Sequence, residues 1–239
     1  MKKWNRFLSL ALAGALALSL TACGGGNDDP SGGGNDPAGG GEVFEILYAG
    51  TSPDTHAMMI AINAVAEEMR EESGGRLNMS VFPNNQLGDS RANLESMQTN
   101  TIQAGELSTA PLAYFTDLYQ PLSLPFFFAS AEEGYAFLES DFAQELADKC
   151  AEECGFRPVA WFLNGQRALT NSVRAVSSPA DMAGLKIRVM ENEIYIRTFE
   201  ALGASPTPMS FAEVFTALQQ KTVDGQDNPY ALTVSNNFY

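Results

Sequence analysis

The run Gly184–Pro229, GLKIRVMENEIYIRTFEALGASPTPMSFAEVFTALQQKTVDGQDNP, constrains the fold more than any other part of the chain. Leu185, Ile187 and Val189 alternate with Lys186 and Arg188, a period of two that predicts a strand with both basic groups on one face, away from the core. A helix follows from about Glu193 to Leu202, and Pro206 and Pro208 then break the chain into a loop. Ser210-Phe211-Ala212-Glu213 has the form of a capping box that opens a helix to Gln220. Val223 to Gln226 reads as a returning strand, and Asn228-Pro229 as a turn. Strand, helix and strand in this order predict an αβ lobe that presents polar groups at its strand ends, which is a binding-site layout.

The first 22 residues stand apart from any fold. Lys2, Lys3 and Arg6 precede an apolar stretch from Phe7 to Leu20 that is shorter than the ~20 residues a membrane span needs. Leu20-Thr21-Ala22-Cys23 closes it as a bacterial lipobox would, so 1–22 is expected to be a secretory lipoprotein signal and Cys23 the lipidated first residue of the mature chain. The Gly/Asn/Asp/Pro-rich residues 23–41 then form a flexible tether. Removing the leader leaves 11 basic residues against 29 acidic ones, 11 − 29 = −18. That charge excludes nucleic acid and an anionic membrane surface as partners. It also means that recognition of an anion falls to a few local arginines.

From Glu42 onward, strand and helix alternate. Val43 to Tyr48 is the first strand, and Met59, Ile62, Val65, Ala66 and Met69 recur at helical spacing up to a stop at Gly74-Gly75. Leu77 to Phe82 and Ile102 to Leu107 are strands flanking a short helix that ends near Met97. Leu122-Ser123-Leu124-Pro125-Phe126-Phe127-Phe128 is expected to pack as core between lobes. Ser130 with Glu133 caps a helix, a second runs from about Asp141 to Glu153, and Phe156 to Leu163 is expected to return as a strand. The crossing into a second lobe is placed at Asn164-Gly165, giving a first lobe over 42–164 and a second over 165–239. Cys150 and Cys154, four apart, share a helix face as two semi-buried thiols, with an intrahelical disulfide as the alternative. The single histidine, His56, offers no metal-ligand spacing and reads as a helix-start residue. No nucleophile with its base, phosphate loop or metal set is present, which argues against an enzyme.

By periodicity alone Arg188 is a solvated strand residue, Arg167 a surface charge and Asn228 a turn residue before proline. The segments Asn164-Gly165-Gln166-Arg167, Gly184-Leu185-Lys186-Ile187-Arg188-Val189 and Asp224-Gly225-Gln226-Asp227-Asn228-Pro229, together with Phe211, closely resemble the solute-binding proteins of tripartite ATP-independent periplasmic (TRAP) transporters. The resemblance spans about Glu42 to Tyr239 and is strongest after Asn164. It implies an α/β, two-lobed, periplasmic-binding-protein-like fold with a ligand cleft between the lobes. It further implies that Arg188 grips the carboxylate of a small organic acid, a dicarboxylate or sugar acid, helped by Arg167 and Asn228, with Phe211 as a wall.

In the first lobe, Thr51 to His56 resembles the loop whose backbone lines the cleft, and Tyr48 is expected to point into it. Gln86-Leu87-Gly88-Asp89 matches a frequent family motif, and Glu106 and Ser108 occupy positions that vary with the ligand. The implied partners are integral-membrane permease subunits driven by an ion gradient, and no cofactor is implied. The implied place is the outer face of the cytoplasmic membrane or the periplasm, reached by general export. Members of the family continue past the position of Tyr239, so the C-terminal part of both lobes is expected to be missing here. A solute-binding lipoprotein serving an ATP-driven importer or a sensor is the alternative. The lipobox makes a direct prediction: in a bacterial host the natural precursor fractionates with membranes, whereas Cys23→Ala moves to the soluble extracytoplasmic fraction. Equal partition of the two proteins removes the anchor.

Overall fold

A computed structural model describes residues 41–239; Cys23 and almost all of the tether lie outside them. β1 (Phe44–Gly50) is the central strand of a three-stranded parallel sheet, between β2 (Leu77–Phe82) and β3 (Ala104–Glu106). Parallel neighbours need a crossover, and α1 (Ala57–Glu72) supplies the first. His56 caps α1, its Nδ1 accepting from the Met58 N–H at 3.3 Å, and the helix gives way to Gly74 and Gly75, both at positive φ. Met59 and Ile62 on its inner face pack against Tyr48, Met79 and Val81. Asp89 opens α2 (Ser90–Gln98) by accepting from the Ala92 N–H at 2.9 Å.

Two further helices, α3 (Ala131–Leu138) and α4 (Asp141–Cys154), follow the first sheet. Ser130 caps α3 as expected, accepting from the Glu133 N–H. On the apolar face of α4, Leu146, Cys150 and Cys154 join Leu94, Leu112 and Tyr119 in one core cluster. Both cysteines are free and buried, so the thiol reading holds, and burial pushes the Cys150 thiol up to about 12, with Cys154 beside it adding.

Two expectations fail in this half. Phe156 to Leu163 forms no strand, because no ladder partner reaches it among the described residues; β3 is three residues long and pairs with β1. Of the segment Leu122–Phe128, Leu122 packs against the core cluster and Ser123 is buried, but Leu124 to Phe127 are not core. Phe126 is fully exposed with φ 58°, and Leu124 and Phe127 are exposed beside it. Phe127 meets the Phe128 ring edge-on at 4.9 Å, and Phe128 packs at a tilt against Phe137 of α3 at 5.5 Å. Rings bury their area only where a second surface comes down on them.

The second sheet has the order β4 (Arg167–Asn171), β7 (Gly225–Pro229), β5 (Lys186–Val189), β6 (Ser205–Pro208). β4 runs antiparallel to β7 and the other pairs are parallel. β6 is an edge strand, which is where Pro206 and Pro208 can sit without breaking a ladder. α5 (Glu193–Ala201) covers one face through Phe199, packed with Leu185, Ile187 and Val189. On the other side α6 (Val214–Gln219) buries Val214 and Ala217, and α7 (Tyr230–Ser235) buries Leu232 and Thr233. Thr233 takes a hydrogen bond from Gln226 of β7 at 3.3 Å.

A sheet covered on both faces changes the meaning of alternation in β5. Lys186 is exposed, but Arg188 is 2% exposed, contrary to the expectation that both face away from the core. β7 also extends further than expected, to Pro229, and every residue of it is buried. Gly225 lies where β7 passes closest to β4: a Cβ there would fall 2.1 Å from the Thr170 carbonyl oxygen. We therefore predict that Gly225→Ala costs about 3 kcal/mol or more, measured by urea unfolding. Gly155→Ala, at φ 77° with open space around it, should cost about 1–2 kcal/mol. The reverse order would mean that the β4–β7 contact does not set the tolerance.

Candidate functional site

Three neighbouring strands converge on two arginines. Arg188 on β5 is in register with Gln226 on β7, and Arg167 on β4 with Pro229 at the end of β7. The Arg188 guanidinium is held from one side: Nε and Nη2 both donate to the Met209 carbonyl, at 3.2 and 2.9 Å. Its Nη1 is buried and has no hydrogen-bond partner among the described residues, and no carboxylate lies within ion-pair distance of the group. Burial, and then the positive charge of Arg167, pull its pKa down to about 10.

Arg167 is balanced. Its Nε donates to Asp227 Oδ2 at 2.5 Å, and Nη2 donates to the Asp227 carbonyl and, at 3.3 Å, to Asn228 Oδ1. The guanidinium also lies over the Tyr195 ring of α5, 5.3 Å from its centroid. Asn228 passes the network inward, its Nδ2 donating to Gln226 Oε1 at 2.6 Å, and Gln226 Nε2 donates to Thr170 Oγ1 at 2.7 Å. Two guanidinium groups against one buried carboxylate leave one positive charge uncompensated. A buried charge without a partner is costly, and a charge-assisted hydrogen bond to an anion is what relieves it.

The structure brings Arg188, Arg167 and Asn228 together and sets other expected residues apart. Asn228 lies in a strand, not a turn, and shares its amide with Arg167 and Gln226. Tyr48 is core, packed on Met59 and Ile62, and burial followed by the charge of Glu106 raises its pKa. Ser108 donates to Met190 Sδ at 3.4 Å, and Asn192 Nδ2 donates to the Ala110 carbonyl at 3.2 Å, so this stretch ties the two halves together. Phe211 is half-buried, meets the Phe238 ring edge-on at 5.6 Å, and lines a pocket with Thr51 and Asn85. Glu106 holds the loop after β1, accepting from the Thr51 N–H and from the hydroxyls of Thr51 and Ser52 at 2.8 to 3.0 Å.

Asp227, Gln226 and the Met209 carbonyl escaped sequence reasoning. The available signal was the run Gly225-Gln226-Asp227-Asn228, polar throughout yet placed where a returning strand was needed. Among the described residues, no three His, Cys, Asp or Glu side chains cluster to hold a metal.

A buried guanidinium with a free donor at the strand ends of an α/β protein has the chemistry to receive a small anion, and the fold matches periplasmic binding protein structures. Residues 48–239 match the family described as bacterial extracellular solute-binding protein, family 7 (DctP), and the chain belongs to this family of TRAP solute-binding proteins. A solute-binding protein of Verminephrobacter eiseniae is 40% identical over 179 residues, 75% of this chain and 53% of the relative. The C4-dicarboxylate-binding periplasmic protein DctP of Vibrio cholerae is 31% identical over 189 residues, 79% of this chain and 56% of the relative. The crystal structure of the sugar acid binding protein DctPAm from Advenella mimigardefordensis in complex with galactonate superimposes with a TM-score of 0.80 at 31% identity. That match covers 83% of this chain and 64% of the other. The chain thus spans about half the length of the curated relatives it matches.

The depressed pKa sets the sign of a stability effect. Charged Arg188 opposes folding at every pH below about 10, and the penalty is relieved only as the pH rises through that value. We therefore predict that Arg188→Met, close in volume and uncharged, unfolds at a urea midpoint no lower than that of the wild type, and up to about 1–4 kcal/mol more stable. A clear loss of stability would show that the guanidinium is a structural strut.

Proposed function

We propose that the protein captures a small organic acid by its carboxylate and delivers it to a TRAP-type membrane permease. The observation that carries this reading is Arg188: buried, oriented by the Met209 carbonyl, with Nη1 free and one positive charge left over. A planar guanidinium offers parallel donors in one plane, which suits a carboxylate, and the fixed carbonyl orients it before the ligand arrives. Arg167 and Asn228 assist, and Phe211 walls the ligand. The two sheets divide the work as lobes over 42–164 and 165–239, with the ligand between them and closure of the lobes as the signal to the permease.

The relatives support the ligand class, since one is named for C4-dicarboxylates and another was crystallised with galactonate. Binding without chemistry fits a site that holds hydrogen-bond donors and no activated nucleophile. Anchoring through Cys23 to the outer face of the cytoplasmic membrane, after general export, places the protein beside its integral-membrane partners.

A thermal-shift panel of dicarboxylates, 2-oxo acids and sugar acids tests the reading, since an acid at one hundred times its Kd should add about 2.7 kcal/mol of stability. With the acid so found, Arg188→Ala should weaken binding by roughly thirty-fold to several thousand-fold in calorimetry, the equivalent of about 2–5 kcal/mol. Lys186→Ala, on exposed ground of the same strand, should change little. Equal affinities for Arg188→Ala and wild type, or turnover of the acid, would defeat the proposal.

A further inference from the structure

Asn164-Gly165 is the one Asn-Gly step in the chain, and it lies in the stretch 156–166 that forms neither helix nor strand before β4. Asn164, Gly165 and Gln166 are all exposed. Among the described residues neither the Asn164 side chain nor the Gly165 N–H makes a hydrogen bond. Gly165 takes φ 105°, a backbone state that glycine adopts without strain, and around the position of a Cβ there only Pro229 comes close, at 3.4 Å. The residue after an asparagine decides how near its backbone nitrogen can come to the side-chain carbonyl carbon. Glycine, with no Cβ, leaves that approach open.

Other steps of similar chemistry are locked by the fold. At Asp224-Gly225, Asp224 Oδ2 accepts from the Lys186 N–H at 2.8 Å, and Gly225 is buried in β7 between Asn171 of β4 and Ile187 of β5. At Asn171-Ser172, Asn171 Oδ1 accepts from the N–H groups of Val173 and Arg174, both at 2.9 Å, and the Ser172 N–H donates to the Asp224 carbonyl at 3.0 Å. Asn63-Ala64 lies inside α1. In each of these the nitrogen or the carbonyl group is held by another partner, and that bond has to open before the two can meet.

We propose that Asn164 is a self-modification site, at which the chain turns its own amide into a carboxylate by way of a cyclic imide. The Gly165 nitrogen gives its proton to hydroxide and attacks Asn164 Cγ. A C–N bond forms, the Cγ–Nδ2 bond breaks, and Nδ2 leaves as ammonia with a proton taken from water. Water then opens the ring at one of its two carbonyls. Attack at Cγ gives aspartate, and attack at the main-chain carbon gives isoaspartate, whose backbone runs through the side chain and is one carbon longer. Either product adds a negative charge three residues before Arg167, at the entry to β4.

The test is to hold the purified chain in mildly alkaline buffer, with and without urea, and to follow by peptide mass which asparagines exchange NH for O. Isoaspartate is read in parallel by methyl transfer from an isoaspartyl methyltransferase. In the folded chain both signals should appear at position 164 before any other position, at a rate comparable with that in urea and rising with pH, because the deprotonated amide is the attacking group. Asn171 and Asp224 should react in urea alone. Asn164→Gln, whose longer side chain has to close a larger ring, should lose both signals and keep the urea midpoint of the wild type. Asn164 as well protected in the folded chain as Asn171, earlier conversion of another position, or signals that persist in Asn164→Gln would overturn the site.

Discussion

The second sheet is organised around a charge imbalance held in place by a single carbonyl. Arg188 lies between strands covered on both faces, and among the described residues the Met209 oxygen is the one acceptor for its guanidinium. Its neighbour Arg167 takes the available carboxylate, Asp227, through Oδ2, and a chain of hydrogen bonds runs from Arg167 through Asn228 and Gln226 to Thr170, while Asp227 Oδ1 stays buried without a partner among the described residues. Bonded side chains on one side and an open donor on the other are what preorganised recognition needs, because no side chain has to be ordered when the ligand arrives. The polar composition of β7 follows from the same arrangement. Gln226, Asp227 and Asn228 are poor strand formers, yet all three ladder to β4, Gln226 ladders to β5 as well, and side-chain bonds run along their length.

Much of the architecture was legible because local signals agreed with one another. The Ser130 cap, the Gly74-Gly75 stop and the box formed by Ser210 and Glu213 each name an element that the structure contains. What a single strand cannot show is how many faces of its sheet are covered. For that reason alternation exposed Lys186 correctly and Arg188 wrongly, and composition hid the extent of β7. Within the site, family resemblance singled out Arg188, Arg167 and Asn228, whereas Asp227 and the Met209 carbonyl became visible only with the register. A backbone oxygen leaves no trace in a residue pattern.

The aromatic run from Phe126 to Phe128 teaches the opposite lesson. Its composition reads as core, but whether a ring is buried depends on what else covers it, and among the described residues these rings meet mostly other rings. The same holds for Val159 and Phe162, apolar residues of an extended segment with no partner strand.

The two thiols of α4 have a practical consequence. Burial raises the pKa of Cys150, so its thiol stays protonated at neutral pH, and disulfide exchange requires the thiolate. The folded chain therefore shields both sulfurs from exchange, while any opening of α4 away from Leu94 and Tyr119 restores ordinary reactivity. Alkylation of these residues by a thiol reagent then becomes a clock for that opening, readable by mass.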